Sequence, residues 1–79
     1  MEIEVRLFHA LRRYLPAGEK EYFFRLTVPS GSVVHDALSI LGIPKDRTVL
    51  IFLNGESCAQ EAILSNGDVL SVMQPAGGG

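Results

Sequence analysis

Hydrophobic and polar residues alternate at the start of the chain, and this pattern predicts a half-buried β-strand over residues 2–8. Its aliphatic face consists of Ile3, Val5 and Leu7. A second strand is predicted over residues 21–28, which are rich in aromatic and β-branched side chains. A short helical turn over residues 10–15 and the breaker Pro16-Ala17-Gly18 separate the two segments. We therefore expect the two strands to pair in the manner of a β-hairpin.

The middle of the chain has the spacing of one amphipathic helix, predicted over residues 32–41. Four apolar residues recur at i, i+3, i+4 and i+7 and form a single stripe: Val34, Ala37, Leu38 and Leu41. Ser32 is expected to cap the helix and Gly42 to end it. The capping box is expected to be incomplete, because His35 stands where Glu or Gln would complete it.

The second half of the chain predicts two more strands and a weak third. A continuous apolar run covers residues 49–53, and Asn54-Gly55 follows it as a strong hairpin signal. A weak returning strand is expected within residues 56–60, and residues 62–64 are expected to cap the core. After the turn Ser65-Asn66-Gly67-Asp68, a last apolar strand covers residues 69–73.

One helix of this length cannot cover both faces of a four- or five-stranded sheet. A central strand buried on both faces is normal in larger α/β proteins, but 79 residues leave little chain for a second layer. We therefore expect an exposed apolar area of the kind that marks a partner site. The candidates, if they lie opposite the helix, are Phe8, Phe52 and Met73, and Pro75 is a further candidate for partner binding.

Composition excludes several classes of function. The net charge is −2, and the chain contains neither a basic run nor Trp, so nucleic-acid binding has no electrostatic basis. Cys58, His9 and His35 lack the spacing of a zinc site, so no metal is expected. The start does not resemble a signal peptide, and no apolar stretch approaches the ~20 residues needed to span a bilayer. A cytoplasmic domain that binds neither membrane nor nucleic acid is expected.

The chain ends on Pro75-Ala76-Gly77-Gly78-Gly79, directly after the last apolar strand. Glycines offer no side chain, and six residues beyond Met73 can span ~20 Å at ~3.3–3.6 Å each. Such an arm could present a bare carboxylate inside a narrow channel of another protein. The alternative is an ordinary frayed terminus.

Five short motifs follow one another along the chain in a fixed order. They are Arg6-Leu7-Phe8-His9-Ala10-Leu11-Arg12 with Leu15-Pro16-Ala17-Gly18, Val28-Pro29-Ser30-Gly31-Ser32-Val33 with Asp36-Ala37-Leu38, Asn54-Gly55-Glu56, Leu64-Ser65-Asn66-Gly67-Asp68-Val69, and the glycine end. Over essentially the whole chain, this order resembles the small subunit of molybdopterin synthase, a family of the ubiquitin-like sulfur carriers of the MoaD/ThiS type. Family tails usually carry two glycines, whereas this chain has three.

The resemblance implies an α+β, ubiquitin-like β-grasp fold: a mixed four- to five-stranded sheet with one main helix. The first and last strands would be parallel neighbours in the middle of the sheet. Residues 1–74 would form the domain and residues 75–79 a flexible tail. Pro75 would direct the chain out of the sheet, and Gly77 and Gly78 would keep the tail thin.

The resemblance also implies a non-catalytic carrier whose working group is the Gly79 carboxylate. An E1-like enzyme would adenylate that carboxylate with ATP, and a sulfur donor would convert it to a thiocarboxylate. An acceptor enzyme, such as the molybdopterin synthase large subunit, would use the sulfur. No cofactor would be bound by the chain itself.

Three other functions remain open at this stage. The chain could serve the thiamine pathway, could be joined covalently to lysines as a protein modifier, or could be an interaction module with an idle tail. An independent enzyme is not expected, because no nucleophile–base or metal constellation is present. Nothing in the sequence near Cys58 would activate its thiol.

Overall fold

The computed structural model describes residues 1–44, 46–47 and 49–75. Within these residues, one sheet contains β1 (Glu2–Leu7), β2 (Phe23–Thr27), β3 (Leu50–Leu53), β4 (Glu56–Ser57) and β5 (Val69–Met73). A 3₁₀ helix (His9–Tyr14) lies between β1 and β2, and α1 (Val34–Leu41) lies between β2 and β3. None of the described helices is long and apolar enough to span a bilayer.

The strand order is β2-β1-β5-β3-β4, with the first and last strands side by side in the centre. Val5 of β1 pairs with Leu70 of β5 in parallel, and with Phe24 of β2 in antiparallel register. On the other side of β5, Val72 pairs antiparallel with Ile51 of β3. The predicted mixed sheet with a parallel central pair is therefore confirmed.

The core lies between one face of this sheet and α1. The sheet contributes the alternating aliphatic residues of its two central strands, all at most 1% exposed: Ile3, Val5, Leu7, Leu70 and Val72. The helix contributes Val34, Ala37 and Leu38 from the predicted stripe, whereas Leu41 is only partly buried. Leu11 of the 3₁₀ helix belongs to the same core.

The predicted helix cap is wrong by one residue. The hydroxyl of Ser32 donates to the carbonyl of Pro29 at 2.6 Å and helps to close a turn, so it is not available to the helix. Val33 is the N-cap residue instead, and α1 begins at Val34. The Asp36 carboxylate accepts the backbone N–H of Val33 at 2.8 Å, which satisfies that donor from inside the first turn.

The other boundaries differ little from the sequence pattern. β2 begins at Phe23, two residues later than predicted, and the weak returning strand is reduced to Glu56–Ser57. Residues 62–64, expected to cap the core, do so only in part. Leu64 is 3% exposed, its N–H donates to the Ser32 carbonyl at 2.9 Å, and Ala62 packs against the core, but Ile63 is 71% exposed. The expected change from domain to tail at residues 74–75 stays a prediction, since residues 76–79 are outside the described part.

Candidate functional site

The sheet face opposite α1, here called the open face, is the candidate docking surface. Alternate residues of a strand point to opposite faces of the sheet. Strand residues that directly precede or follow a core residue in the sequence therefore lie on the open face. These residues are half-buried or exposed in the structure. They are Phe23, Arg25 and Thr27 of β2; Glu2, Glu4 and Arg6 of β1, with Phe8 just beyond it; Val69, Ser71 and Met73 of β5; Leu50 and Phe52 of β3; and Ser57 of β4.

One half of the open face is charged and internally paired. Arg6 Nε donates to Glu4 Oε2 at 2.6 Å within β1, and Arg25 Nη1 donates to Glu2 Oε1 at 3.2 Å across β1 and β2. Both pairs are substantially exposed, so each adds little to the free energy of unfolding. Each positive charge in these pairs nevertheless faces a negative one, so the pairs do not call for a charged group from a partner protein.

The other half of the open face is apolar. Met73, the last residue of β5, pairs with Leu50 of β3, and Phe52 lies two residues further along β3. Leu50 is 43% exposed, although it is a large aliphatic side chain in a strand. The apolar half therefore lies beside the point at which the chain leaves the sheet.

An aromatic cluster continues the apolar surface at the same end of the sheet. The ring centroids of Phe8 and Tyr22 are 5.4 Å apart, and those of Tyr22 and Phe23 are 5.1 Å apart in an edge-to-face arrangement. Tyr22 is 40% and Phe23 is 44% exposed. Exposed, mutually packed aromatic rings are typical of protein interfaces.

The structure brings together most of the site residues expected from the sequence. Phe8, Phe52 and Met73 all lie on the open face and are half-buried, and Pro75 is half-buried two residues after Met73. Gly77, Gly78 and Gly79 lie outside the described residues, so their expected roles stay predictions.

Tyr22, Phe23 and Leu50 are surface residues that the sequence pattern did not indicate. The pattern placed Tyr22 and Phe23 in an aromatic strand and Leu50 in an apolar run, without assigning them to a face. The alternation rule could have identified Phe23, because the next residue, Phe24, belongs to the core face. Tyr22 had no such signal, because it lies just outside β2.

Among the described residues, Cys58 and His35 are two reactive side chains outside the open face. Burial raises the pKa of the Cys58 thiol, which is the opposite of what an activated nucleophile requires. His35 Nδ1 lies 3.1 Å from Gln60 Oε1, and its Nε2 lies 3.4 Å from Ser39 Oγ. Among the described residues, no cluster of His, Cys, Asp or Glu could hold a metal ion.

A family model described as Mut7-C ubiquitin matches residues 1–76. No curated protein matches the chain. Among solved structures, the chain is similar to small archaeal modifier protein 1 (SAMP1) of Haloferax volcanii, with 26% identity, a TM-score of 0.75 and full coverage of both chains.

Two further structures are similar at 25% identity. The first is a protein–protein complex of subunits 1 and 2 of molybdopterin-converting factor from Helicobacter pylori, with a TM-score of 0.66 and 100% of both chains covered. The second is SAMP1 of Methanosarcina acetivorans, with a TM-score of 0.69 and coverage of 99% of this chain and 96% of that chain. These similarities confirm the β-grasp, ubiquitin-like fold.

Proposed function

Because the chain belongs to the Mut7-C ubiquitin family, we propose that it is a ubiquitin-like sulfur carrier and that the Gly79 carboxylate is its working group. An E1-like enzyme activates this group: a carboxylate oxygen attacks the α-phosphate of ATP, and pyrophosphate leaves. A sulfide-level donor then attacks the acyl carbon, the bond to AMP breaks, and a thiocarboxylate remains. Activation is necessary because a free carboxylate is resonance-stabilised and resists nucleophiles.

The position of the apolar half supports this function. β5 ends at Met73 beside Leu50, so a protein docked on the apolar half stands next to the point where the chain leaves the sheet. The same docked protein would cover Phe52 and the aromatic cluster of Phe8, Tyr22 and Phe23. The body of the domain thus supplies docking, while the chemistry takes place at the end of the chain. This juxtaposition is the observation that carries the proposal.

The proposed acceptor is a protein of the molybdopterin synthase large-subunit type. The similarity to the Helicobacter pylori structure supports this assignment, because that structure is a complex of subunits 1 and 2 of molybdopterin-converting factor. The carrier binds no cofactor of its own, and ATP is consumed by the activating enzyme. The proposal places the chain in the cytoplasm, where ATP is available to that enzyme.

A covalent modifier is the second candidate, and the similarity to two SAMP1 structures favours it. Its first step is the same adenylation of Gly79. The acyl carbon is then transferred to the amine of a lysine rather than to sulfur, and an amide bond forms. The two functions therefore differ only in the nucleophile that receives the activated acyl group.

Intact-mass analysis tests the sulfur-carrier proposal. The purified chain is incubated with its E1-like enzyme, ATP and sulfide, and we expect a mass increase equal to the difference between sulfur and oxygen. A C-terminal amide should abolish the increase, because it removes the oxygen that attacks ATP. Deletion of Gly79 should also abolish it, because the arm is shortened by ~3.3–3.6 Å.

Cys58→Ala is the matched control and should acquire sulfur at the normal rate, because the thiol has no role in the reaction. Sulfur incorporation into the amide or into the Gly79 deletion would refute the proposal. If the chain is instead recovered from cells in lysine-linked conjugates, with no thiocarboxylate, the modifier function is supported.

A further inference from the structure

Arg47 joins the base of the C-terminal tail to the body of the domain. Its Nη2 donates to Gln74 Oε1 at 3.1 Å, and this contact bridges a sequence separation of 27 residues. Gln74 directly follows β5, and only Pro75 separates it from the end of the described chain. Arg47 therefore contacts the residue from which the tail starts.

Arg47 is itself held in place by two further contacts, one of its side chain and one of its backbone. Its guanidinium carbon lies 5.8 Å from the centroid of the Tyr14 ring, in a cation–π arrangement. Its backbone N–H donates to the Pro44 carbonyl at 3.1 Å, which closes the turn after α1. Tyr14 packs against the hydrophobic core, so the contact to Gln74 is tied to the rigid part of the fold.

Ion pairing does not explain the contacts that Arg47 makes with Gln74 and Tyr14. Within residues 1–44, 46–47 and 49–75, the ion pairs involve Arg6 and Arg25, and both lie in the charged half of the open face. Arg47 instead donates to a neutral amide and contacts an aromatic ring. Its Nε is buried and has no hydrogen-bond partner among the described residues. A planar guanidinium can reach two groups at once, which an ammonium cannot do in the same way.

We propose that Arg47 is a positioning residue for the tail: through its own contact with Tyr14 it ties Gln74 to the core, so that the working end of the chain starts from a fixed place beside the apolar half. This inference rests on the proposed function of Gly79. A carrier with Gln74 held in advance loses less conformational entropy when its tail enters an enzyme channel. Arg47 therefore acts on capture of the tail and not on the chemical step.

A double-mutant cycle tests this role. Arg47→Met and Gln74→Met each remove one side of the hydrogen bond while keeping an unbranched side chain of similar length. The rate of pyrophosphate release by the E1-like enzyme is measured against carrier concentration. Each single variant should lower kcat/KM by about five- to tenfold through KM, with kcat unchanged, on the basis of the entropy of ordering one residue. The double variant should be no worse than either single variant.

Arg13→Met is the matched control. Arg13 also lies 5.8 Å from the Tyr14 ring and carries the same charge, but the hydrogen bond to Gln74 comes from Arg47. We expect its kcat/KM to stay within about twofold of the wild-type value, since surface substitutions usually have small effects. Arg47→Lys, which keeps the charge and loses the planar fork, should resemble Arg47→Met.

A direct measurement of order separates this inference from the proposed function. The ¹H–¹⁵N heteronuclear NOE of the Gln74 amide should fall in Arg47→Met and stay unchanged in Arg13→Met. If wild-type protein supports no pyrophosphate release, the proposed function fails, whereas the NOE still reports whether Arg47 orders the tail base. Full activity of Gln74→Met, rescue by Arg47→Lys, or an unchanged NOE in Arg47→Met would each overturn the positioning role.

Discussion

Replacement of Leu50 by Ser tests the apolar half of the open face as a docking surface. Leu50 is 43% exposed and pairs with Met73 at the end of β5. A partner that docks there would bury the exposed part of the Leu50 side chain. The substitution removes that apolar surface and introduces a hydroxyl that would need a new hydrogen bond in the complex.

The expected loss of affinity follows from the exposed fraction. Full burial of a leucine side chain contributes ~1.5–3 kcal/mol. Burial of the remaining 43% in a complex would therefore contribute about 0.6–1.3 kcal/mol, which corresponds to about a three- to ninefold increase in Kd on substitution. The part that is already buried accounts for about 1–2 kcal/mol of the free energy of unfolding. A domain with ordinary stability remains folded after such a loss.

Binding to the E1-like enzyme is measured by isothermal titration calorimetry for wild type, Leu50→Ser and Ile63→Ser. Ile63 is 71% exposed and lies off the sheet, in an isolated bridge with Val33, so its substitution removes more exposed apolar surface than that of Leu50, but away from the open face. We expect a higher Kd for Leu50→Ser and an unchanged Kd for Ile63→Ser. Equal weakening by both variants, or a Kd for Leu50→Ser within twofold of wild type, would refute the assignment of this surface.

Three further predictions concern other parts of the molecule. Leu70→Ala should lower the free energy of unfolding by about 2–5 kcal/mol in urea titrations, because Leu70 is fully buried in the central strand pair; a change below ~1 kcal/mol would contradict this packing. Alkylation of Cys58 should begin at higher pH in the folded chain than in urea, because burial raises the pKa of the thiol; identical pH profiles would contradict the burial. Gly78→Phe should slow adenylation without changing the urea midpoint, because a bulky side chain obstructs a narrow channel, and an unchanged rate would argue against a threaded tail.

Local patterns in the sequence determined much of the fold. The period of two in β1 assigned Ile3, Val5 and Leu7 to the core, because successive side chains of a strand necessarily point to opposite faces. The turn at Asn54-Gly55 was also predictable from the local sequence, because the two residue types suit the backbone angles of a tight turn. Its φ angles of 54° and 87° lie in a region that Asn and Gly adopt at little cost. The family resemblance also rested on such short motifs in a fixed order.

Competition between local hydrogen bonds was harder to predict. Ser32 has the chemistry of an N-cap residue, but its hydroxyl donates to the Pro29 carbonyl, and Asp36 satisfies the Val33 N–H instead. Both arrangements use residues within a few positions of the helix start. Their relative energies depend on the direction in which the chain enters the helix, and the sequence pattern does not contain that direction.

Only the tertiary structure decided which side chains form the open face and what holds the tail base. Leu50 and Met73 meet because β3 and β5 pair in one particular register, and Phe8 meets Tyr22 across the connection that contains the 3₁₀ helix. Arg47 reaches Gln74 over 27 residues of sequence. Contacts at such separations are set by strand order and register, which result from the packing of the whole core and not from any single segment.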